Sequence, residues 1–506
     1  MEVKRRGVVY SPSEIAKKVI EDSFVDLRRD RYPKIIDFSC GEGIFLELAT
    51  EFLTEKYYKD KEDYPFISKN AGREEIRRDI LKSSIYGMDI SPKAVDKTIS
   101  SLARSEDEKI CLRDKIIEGD ALLNRHLLFD LSENKGFDYV LGNPPYVGHK
   151  NVDSAYREKL KGYGDVYYDK GDLSFCFLKL GIDLLAKDGR LAFIISRAVV
   201  DSINGVRIRD YVQKESHIEK IIDFDTKKVF EGISVLSVIL FLSKAKEVKK
   251  TQVVKDGEVF YTNIFPIKNK WILRKEEEIG LIKKIEQVSD YKLSDVVDFH
   301  QGIITGLDKI FVVSQDDIEK HKIEEELIFP WVKNSQIKAF EVEEPSQFLI
   351  YSNLIEDEKD YPNAVKYISK ERSRLEKRRE CRLGSRKWYE LQWGRDLSLF
   401  QLEKIVFPYK AEKNRFAIDK SGLLFSADVY FMTLKDKNFT LENIVKILNS
   451  ELYNKYYRLF AKKGVNDQYD YYPNSLQGVY VPSAKKFNYR AEDFEKELNK
   501  FFYMVS

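Results

Sequence analysis

Short apolar runs alternate with segments of helical period through the first half of the chain. "PSEIAKKVIEDSFVDL" (12–27) repeats apolar residues at helical spacing after a Ser-Pro start, which predicts a helix. "KIIDF" (34–38) reads as a short buried strand, and "SCGEGIFLELATEFL" (39–53) as a glycine turn running into an amphipathic helix. "SSIYGMDI" (83–90), "DKIIEGDAL" (114–122) and "FDYVLGN" (137–143) predict three more strands. A helix over "DLSFCFLKLGIDLLAKDG" (172–189), closed by an Asp-Gly turn, leads to the strand "RLAFIIS" (190–196). After the helical "RIRDYVQKES", "IEKIIDF" (218–224) and "SVLSVILFLS" (234–243) are strands joined by a loop too short for a helical crossover. They predict an antiparallel hairpin at the sheet edge. Strands alternating with helices give an α/β, doubly wound, mostly parallel sheet of seven strands, which takes ligands beyond its strand carboxyl ends. Residues 51–82, rich in Lys, Glu, Asp and Tyr, read as a surface helical insertion. From about 244 the rhythm stops, and short strands, helices and aromatic-rich loops predict a second, mixed α+β region. The expected domains are 1–243 and 244–506.

The predicted strand tips carry the candidate chemistry. At the first, Asp37, Ser39, Cys40, Gly41 and Gly43 form a loop whose glycines let a ligand approach backbone N–H groups at a helix start. Alone, Gly-x-Gly is equally compatible with a plain turn, and no Lys-Ser/Thr follows to make it a phosphate loop. Asp89 closes the second strand, where an acid can accept both hydroxyls of a ribose, with Ile90 beside it. Asp120, followed by Ala121, closes the third, where an acid can accept from an adenine amino group. Each aspartate could instead cap the next helix. Three such tips in a row describe a nucleoside pocket.

The fourth tip is Asn143-Pro144-Pro145-Tyr146. Two prolines have no N–H to continue a ladder. An exocyclic amino group is a poor nucleophile because its lone pair is delocalised into the ring. The Asn143 side-chain oxygen and the Pro144 carbonyl can accept its two N–H groups, favouring a tetrahedral nitrogen whose lone pair meets an electrophile. The prolines aim that carbonyl in advance, and Tyr146 offers a face for a planar base.

Composition narrows the setting. With 506 residues, 43% hydrophobic and 34% charged, the chain has material for two or three cores. Its 4 cysteines lack CxxC spacing and its 5 histidines lack metal spacing, so no metal centre is expected. No signal peptide is evident, and the longest apolar run, "VLSVILFL", is too short to span a bilayer and reads as a central strand. A reducing cytoplasmic location and no membrane partner are expected. The net charge of +2 is unevenly spread: residues 366–395 hold eleven Lys or Arg against four Glu, a local +7 that leaves −5 for the remainder. Arg386, Lys387, Trp388, Tyr389, Gln392, Trp393 and Arg395 mix cations with aromatics, a mixture suited to phosphate contact and base stacking. Lys410, Asn414 and Arg415 in "KAEKNRFAI", and Lys462 and Lys463 beside "YDYYPN", extend this candidate nucleic-acid face. For the basic stretch 370–380 a solvated helix face is the competing reading.

With these motifs in order, the chain resembles the amino methyltransferases of the γ group, which use S-adenosylmethionine and modify adenine N6 in double-stranded DNA. The order "RRGVVYSP", "DFSCGEG", "YGMDIS", "EGDAL", "GNPPYVG", "KVFEGISV", then a recognition region, carries the likeness. The resemblance implies that Tyr10, Ser11 and Pro12 line the methionine end of the cofactor, and that Phe230 stacks on a flipped adenine opposite Tyr146. "FHQGIITGLDKIF", "RRECRLGSRKWYELQWGR", "NRFAID", "SADVY" and "YDYYPN" are similar to the CamA-type orphan methyltransferases, which implies a non-palindromic A-rich site, CAAAAA, and no nuclease or obligatory protein partner. The cofactor segment begins near residue 7, so no nuclease domain is expected upstream, and little follows "YDYYPN", so the chain reads as shortened at its end. Methyltransferases of release-factor glutamine or of RNA bases share Asn-Pro-Pro-Tyr. They and a restriction-system enzyme are the alternatives.

Overall fold

The computed structural model describes residues 11–504 except 149–150, 169–170, 226–229, 231–235, 245–249, 265 and 268. The chain divides into two compact units, Met1–Glu276 and Glu277–Ser506.

The first unit is built on one nine-stranded sheet. Its strands are β1 (Ile35–Asp37), β2 (Ile85–Asp89), β3 (Ile116–Glu118), β4 (Phe137–Gly142), β5 (Leu185–Ser196), β6 (His217–Asp223), β7 (Ser237–Ser243), β8 (Thr251–Lys255) and β9 (Glu258–Thr262), ordered β3-β2-β1-β4-β5-β7-β6-β8-β9. The pairs β3·β2, β2·β1, β1·β4 and β4·β5 are parallel, as helical crossovers require. Every residue of β4 is buried, the mark of a strand covered on both faces. Chain order reverses between β1 and β4, so their carboxyl ends open onto a crevice there.

The seven expected strands are present, with three differences. The β6–β7 pair is antiparallel, but β7 lies between β5 and β6 rather than at an edge. All seven β7 residues are buried, as a central strand demands. Next, the β8–β9 hairpin continues the sheet beyond β6, so the first unit runs past 243 to Glu276. Its turn, Asp256-Gly257, has positive φ at both residues (53° and 82°), the twist-matched hairpin geometry. Finally, the helix expected over 172–189 stops at Asp183, and β5 begins at Leu185 with a register irregularity against β4.

The 51–82 segment is more than a surface insertion. Helices Ile44–Lys59 and Arg73–Ser83 flank a loop whose Tyr64 and Phe66 meet Tyr57 edge-on at 4.6 and 5.6 Å. Tyr57 is fully buried in the cluster that also holds Ile35, Leu46 and Ile85, so the segment packs into the core of the first unit.

In the second unit, strands Val297–Gln301, Val429–Leu434, Lys404–Pro408 and Ala417–Asp419 form an antiparallel sheet in that order. A second, mixed sheet joins Val312–Val313, Gln347–Ile350, Ile328–Val332 and Leu424–Phe425. Trp331, Phe400, Phe425 and Phe431 share one core. Helices Leu441–Leu448 and Glu451–Phe460 present strongly one-sided apolar faces and bury them. Among the described residues, no helix is long and apolar enough to cross a membrane.

Candidate functional site

The crevice beyond β1, β2, β3 and β4 gathers the candidate residues of the first unit. β1 ends at Asp37, whose carboxylate is buried and accepts from the Ser39 N–H at 3.0 Å. Burial pushes its pKa up to about 7, against the Ser39 hydrogen bond and with repulsion from Asp89 adding to the rise. The chain turns through Cys40, which is buried, and through Gly41 and Gly43, both with positive φ (54° and 90°). A Cβ on Gly43 would lie 2.8 Å from Thr98 Cγ2, so the turn is closed to larger residues by space as well as by backbone. Helix Ile44–Lys59 starts directly after it.

Asp89 ties this turn to β2. Its Oδ2 accepts the Gly41 N–H and its Oδ1 the Ser91 N–H, both at 2.9 Å. A carboxylate has about four acceptor positions, so these two bonds orient the group and leave capacity for hydroxyls. Ile90, next in sequence, is 60% exposed and offers apolar surface for a planar ring. Asp120 caps the turn after β3: Oδ1 accepts the Leu122 and Leu123 N–H groups at 3.0 and 3.2 Å. Ala121 beside it is buried. The other oxygen, Oδ2, takes the Tyr156 hydroxyl at 2.9 Å. Tyr156 is absent from the sequence expectations, because its partner lies 36 residues away. It lies just beyond the Asn-Pro-Pro-Tyr turn, so one short segment serves both strand tips.

At the tip of β4, Asn143 and Pro145 are half-buried, and Pro144 and Tyr146 are buried. Asn143 Nδ2 donates to Ser11 Oγ at 3.1 Å, which brings the expected methionine-end segment against the turn. Pro12, exposed, precedes helix Ser13–Ser23. Tyr10 lies outside the described residues. The Tyr146 and Phe230 rings meet directly, with centroids 5.6 Å apart and planes at 60°. Two residues 84 positions apart, both expected against a flipped base, are thus adjacent. Burial drives the Tyr146 phenol well above its ordinary value, so the ring stays neutral.

This donor set fits S-adenosylmethionine. Carboxylates stand at the second and third strand tips for hydroxyls and an amino group, Ile90 offers an apolar face, and the glycine turn has open space above Gly41, where a Cβ would meet nothing within 4 Å.

In the second unit, two expected DNA contacts are corrected. Tyr389 is 1% exposed and belongs to the core with Leu391 and Phe400. Asn414 is also buried: its Nδ2 donates to the Leu448 carbonyl at 2.5 Å and its Oδ1 accepts the Tyr471 hydroxyl at 2.7 Å. Neither side chain can reach a base edge without leaving the core. The others lie at or near the surface. Arg386 pairs with Glu390 at 3.8 Å, Lys387 donates to the Glu356 carbonyl at 3.1 Å, and Gln392 donates to Glu380 at 3.3 Å. Trp388 carries the Arg372 guanidinium over its ring at 4.8 Å, whereas Trp393 is 44% exposed. Lys410 lies 4.0 Å from Asp470, Arg415 donates to Asn334 at 2.9 Å, and Lys463 pairs with Asp467 at 2.9 Å, beside the exposed Lys462. The basic stretch is two short helices, Arg372–Leu375 and Arg379–Arg382, divided at Arg378. Arg378 donates to the carbonyls of Thr305, Leu375, Trp388 and Glu390 and so organises the whole turn.

Comparison with known proteins matches both units. Residues 83–230 match the family model of the Eco57I restriction-modification methylase, and residues 329–478 that of the TaqI-like C-terminal specificity domain. The chain is 23% identical to the type II restriction enzyme and methyltransferase RM.Eco57I of Escherichia coli over 96% of its own length, and spans 56% of that protein. It is 21% identical to the type II methyltransferase M.BstVI of Geobacillus stearothermophilus, covering 95% of this chain and 91% of the relative. Among solved structures, the type IIL restriction-modification enzyme MmeI in complex with DNA shares the fold at a TM-score of 0.62 and 14% identity, over 92% of this chain and 63% of the other.

Proposed function

We propose, from the premise that this chain is a methyltransferase of the type II restriction-modification kind with a C-terminal specificity domain, that it methylates N6 of an adenine rotated out of double-stranded DNA. S-adenosylmethionine, when bound, supplies an electrophilic methyl group. The observation that carries the reading is the turn Asn143–Tyr146 at the tip of β4, with Phe230 against Tyr146 and Ser11 against Asn143. In this reading the Asn143 amide oxygen and the Pro144 carbonyl accept the two N–H groups of the target amine. That interaction strengthens as nitrogen becomes tetrahedral, so it lowers the barrier rather than tightening ground-state binding. Tyr146 and Phe230 hold the base between their faces. Asp89 accepts the ribose hydroxyls of the cofactor and Asp120 its adenine amino group, while Ser11 holds the Asn143 amide nitrogen.

The second unit supplies sequence recognition, with the surface cations and Trp393 as its contacts. The resemblance to CamA-type enzymes favours a non-palindromic A-rich site such as CAAAAA. The likeness to RM.Eco57I favours a restriction-system methyltransferase with a different site. One experiment separates these readings from each other and from glutamine or RNA methylation. Purified protein is incubated with labelled cofactor and unmethylated genomic DNA, RNA or release factor, and methylated positions are then sequenced. Label confined to adenine in duplex DNA is the expected result. Label on release factor or RNA alone would refute the proposal.

A further inference from the structure

Arg395 is an exposed cation of the second unit whose guanidinium is held along one edge. Strand Val297–Gln301 runs into Gly302, where a Cβ would lie 2.1 Å from the Ser426 carbonyl oxygen, so the backbones pack without a side chain between them. Two residues on, Ile304 and Trp393 exchange backbone hydrogen bonds of 3.1 and 2.9 Å. The segment 301–306 is thereby stitched to 391–395. Directly after this stitch, Arg395 adopts φ +66°, a left-handed conformation uncommon for a long side chain. The side chain emerges exposed, two residues from exposed Trp393.

Its guanidinium is not loose. Nε donates to the Gly302 carbonyl at 3.3 Å, and Nη2 donates to Gln301 Oε1 at 2.7 Å. Gln301 is in turn held through Nε2 by the Ala427 carbonyl at 3.3 Å. Both acceptors lie along the Nε–Nη2 edge. A guanidinium has five N–H groups. Among the described residues, the contacts of Arg395 use two of them, which leaves the Nη1–Nη2 end open.

We propose that Arg395, buttressed by Gln301, reads a guanine in the target DNA. This rests on the reading of the chain as a DNA methyltransferase and names the residue that sets part of its site. The argument is one of geometry. A guanidinium fork also suits phosphate, but a phosphate contact carries no sequence information and does not need the plane of the fork fixed in advance. A planar fork held on one edge, with two parallel N–H groups pointing outward, matches the O6 and N7 acceptors of guanine in the major groove. Adenine presents a donor at the corresponding position and would be rejected. Gln301 sets the plane of the fork, so it acts as a positioning residue.

The test uses the full chain on unmethylated genomic DNA, with every methylated position sequenced for wild type, Arg395→Ala, Arg395→Lys and Gln301→Ala. Wild type should show one position held to G·C. Both Arg395 variants should relax that position alone, losing roughly 10–100-fold of discrimination. Gln301→Ala should relax it partially, since the guanidinium remains but its plane is no longer set. Cofactor affinity and melting temperature of each variant report folding, and the milder Lys and Gln301→Ala changes decide the matter if Arg395→Ala does not fold. An unchanged motif in the folded variants would overturn the assignment. So would an equal loss at all sequences with a shallower salt dependence, which marks a phosphate contact. Wild type that methylates DNA without any G·C requirement overturns this assignment alone, whereas wild type that methylates no DNA overturns the broader reading with it.

Discussion

Replacing Phe230 by alanine probes the proposed base-holding pair directly. A base lying between two parallel rings needs them about 7 Å apart, two van der Waals gaps of about 3.5 Å. The Tyr146 and Phe230 centroids are 5.6 Å apart with planes at 60°, so the rings must part by roughly 1.4 Å and turn toward parallel. The pair gives up about 0.5–1.5 kcal/mol of aromatic contact in doing so. Stacking of a base on an aromatic face returns about 1–3 kcal/mol. The net contribution of Phe230 to the proposed holding of the base is therefore about 0.5–1.5 kcal/mol, or roughly 2–13-fold in kcat/KM. Methyl transfer to a duplex with one target adenine measures it, with cofactor affinity by calorimetry as the control. Phe230 is 4% exposed, so the variant also loses core packing, and Phe230→Leu keeps most of that volume as a second control. A change in kcat/KM below twofold, or an equal weakening of cofactor binding, would refute the stacking role.

Asn143→Ala is expected to abolish turnover while leaving cofactor affinity within a few-fold, because the amide oxygen is assigned to the target amine; retained turnover in a single-turnover assay would contradict this. Asp89→Ala removes the acceptor of two backbone N–H groups as well as the proposed acceptor of the ribose, and should weaken cofactor binding roughly 10–100-fold, read by calorimetry. Asp37 has an ordinary value near 3.8 and rises to about 7 when folded, so the folded state holds the extra proton between those values. Stability from this group is greatest at low pH and falls as pH rises from about 4 to 7. The melting-temperature gain of Asp37→Asn over wild type should therefore widen across that window and level off above it; a gap independent of pH would show that Asp37 ionises normally.

What could be read in the sequence follows from how local each feature is. The parallel strands and the Asn-Pro-Pro-Tyr turn are legible because burial on both faces and two adjacent prolines leave their marks within a few residues. The β8–β9 hairpin was also locally marked, by Asp256-Gly257 between alternating residues, though it falls beyond the expected domain boundary. Tyr389 and Asn414 were misplaced for a different reason. A tyrosine or an amide beside lysines reads as surface, and only partners distant in sequence pull it inward: Tyr471 and Leu448 for Asn414. The same distance hid Tyr156, Arg378 and Gln301. Their roles lie in bonds to Asp120, Thr305 and Arg395, which no spacing rule connects.

The position of β7 bears on how the first unit comes to be folded. β5 and β6 both precede β7 in the chain, yet neither can complete its ladder until residues 237–243 are inserted between them. Up to that point of synthesis each presents a long apolar edge, a template for wrong pairing with a neighbouring chain. The sheet is thus completed late and by a non-local step, which slows folding. The stretch that matches the methylase family model, 83–230, stops just short of that central strand, so taken alone it would leave the facing edges of β5 and β6 unpaired.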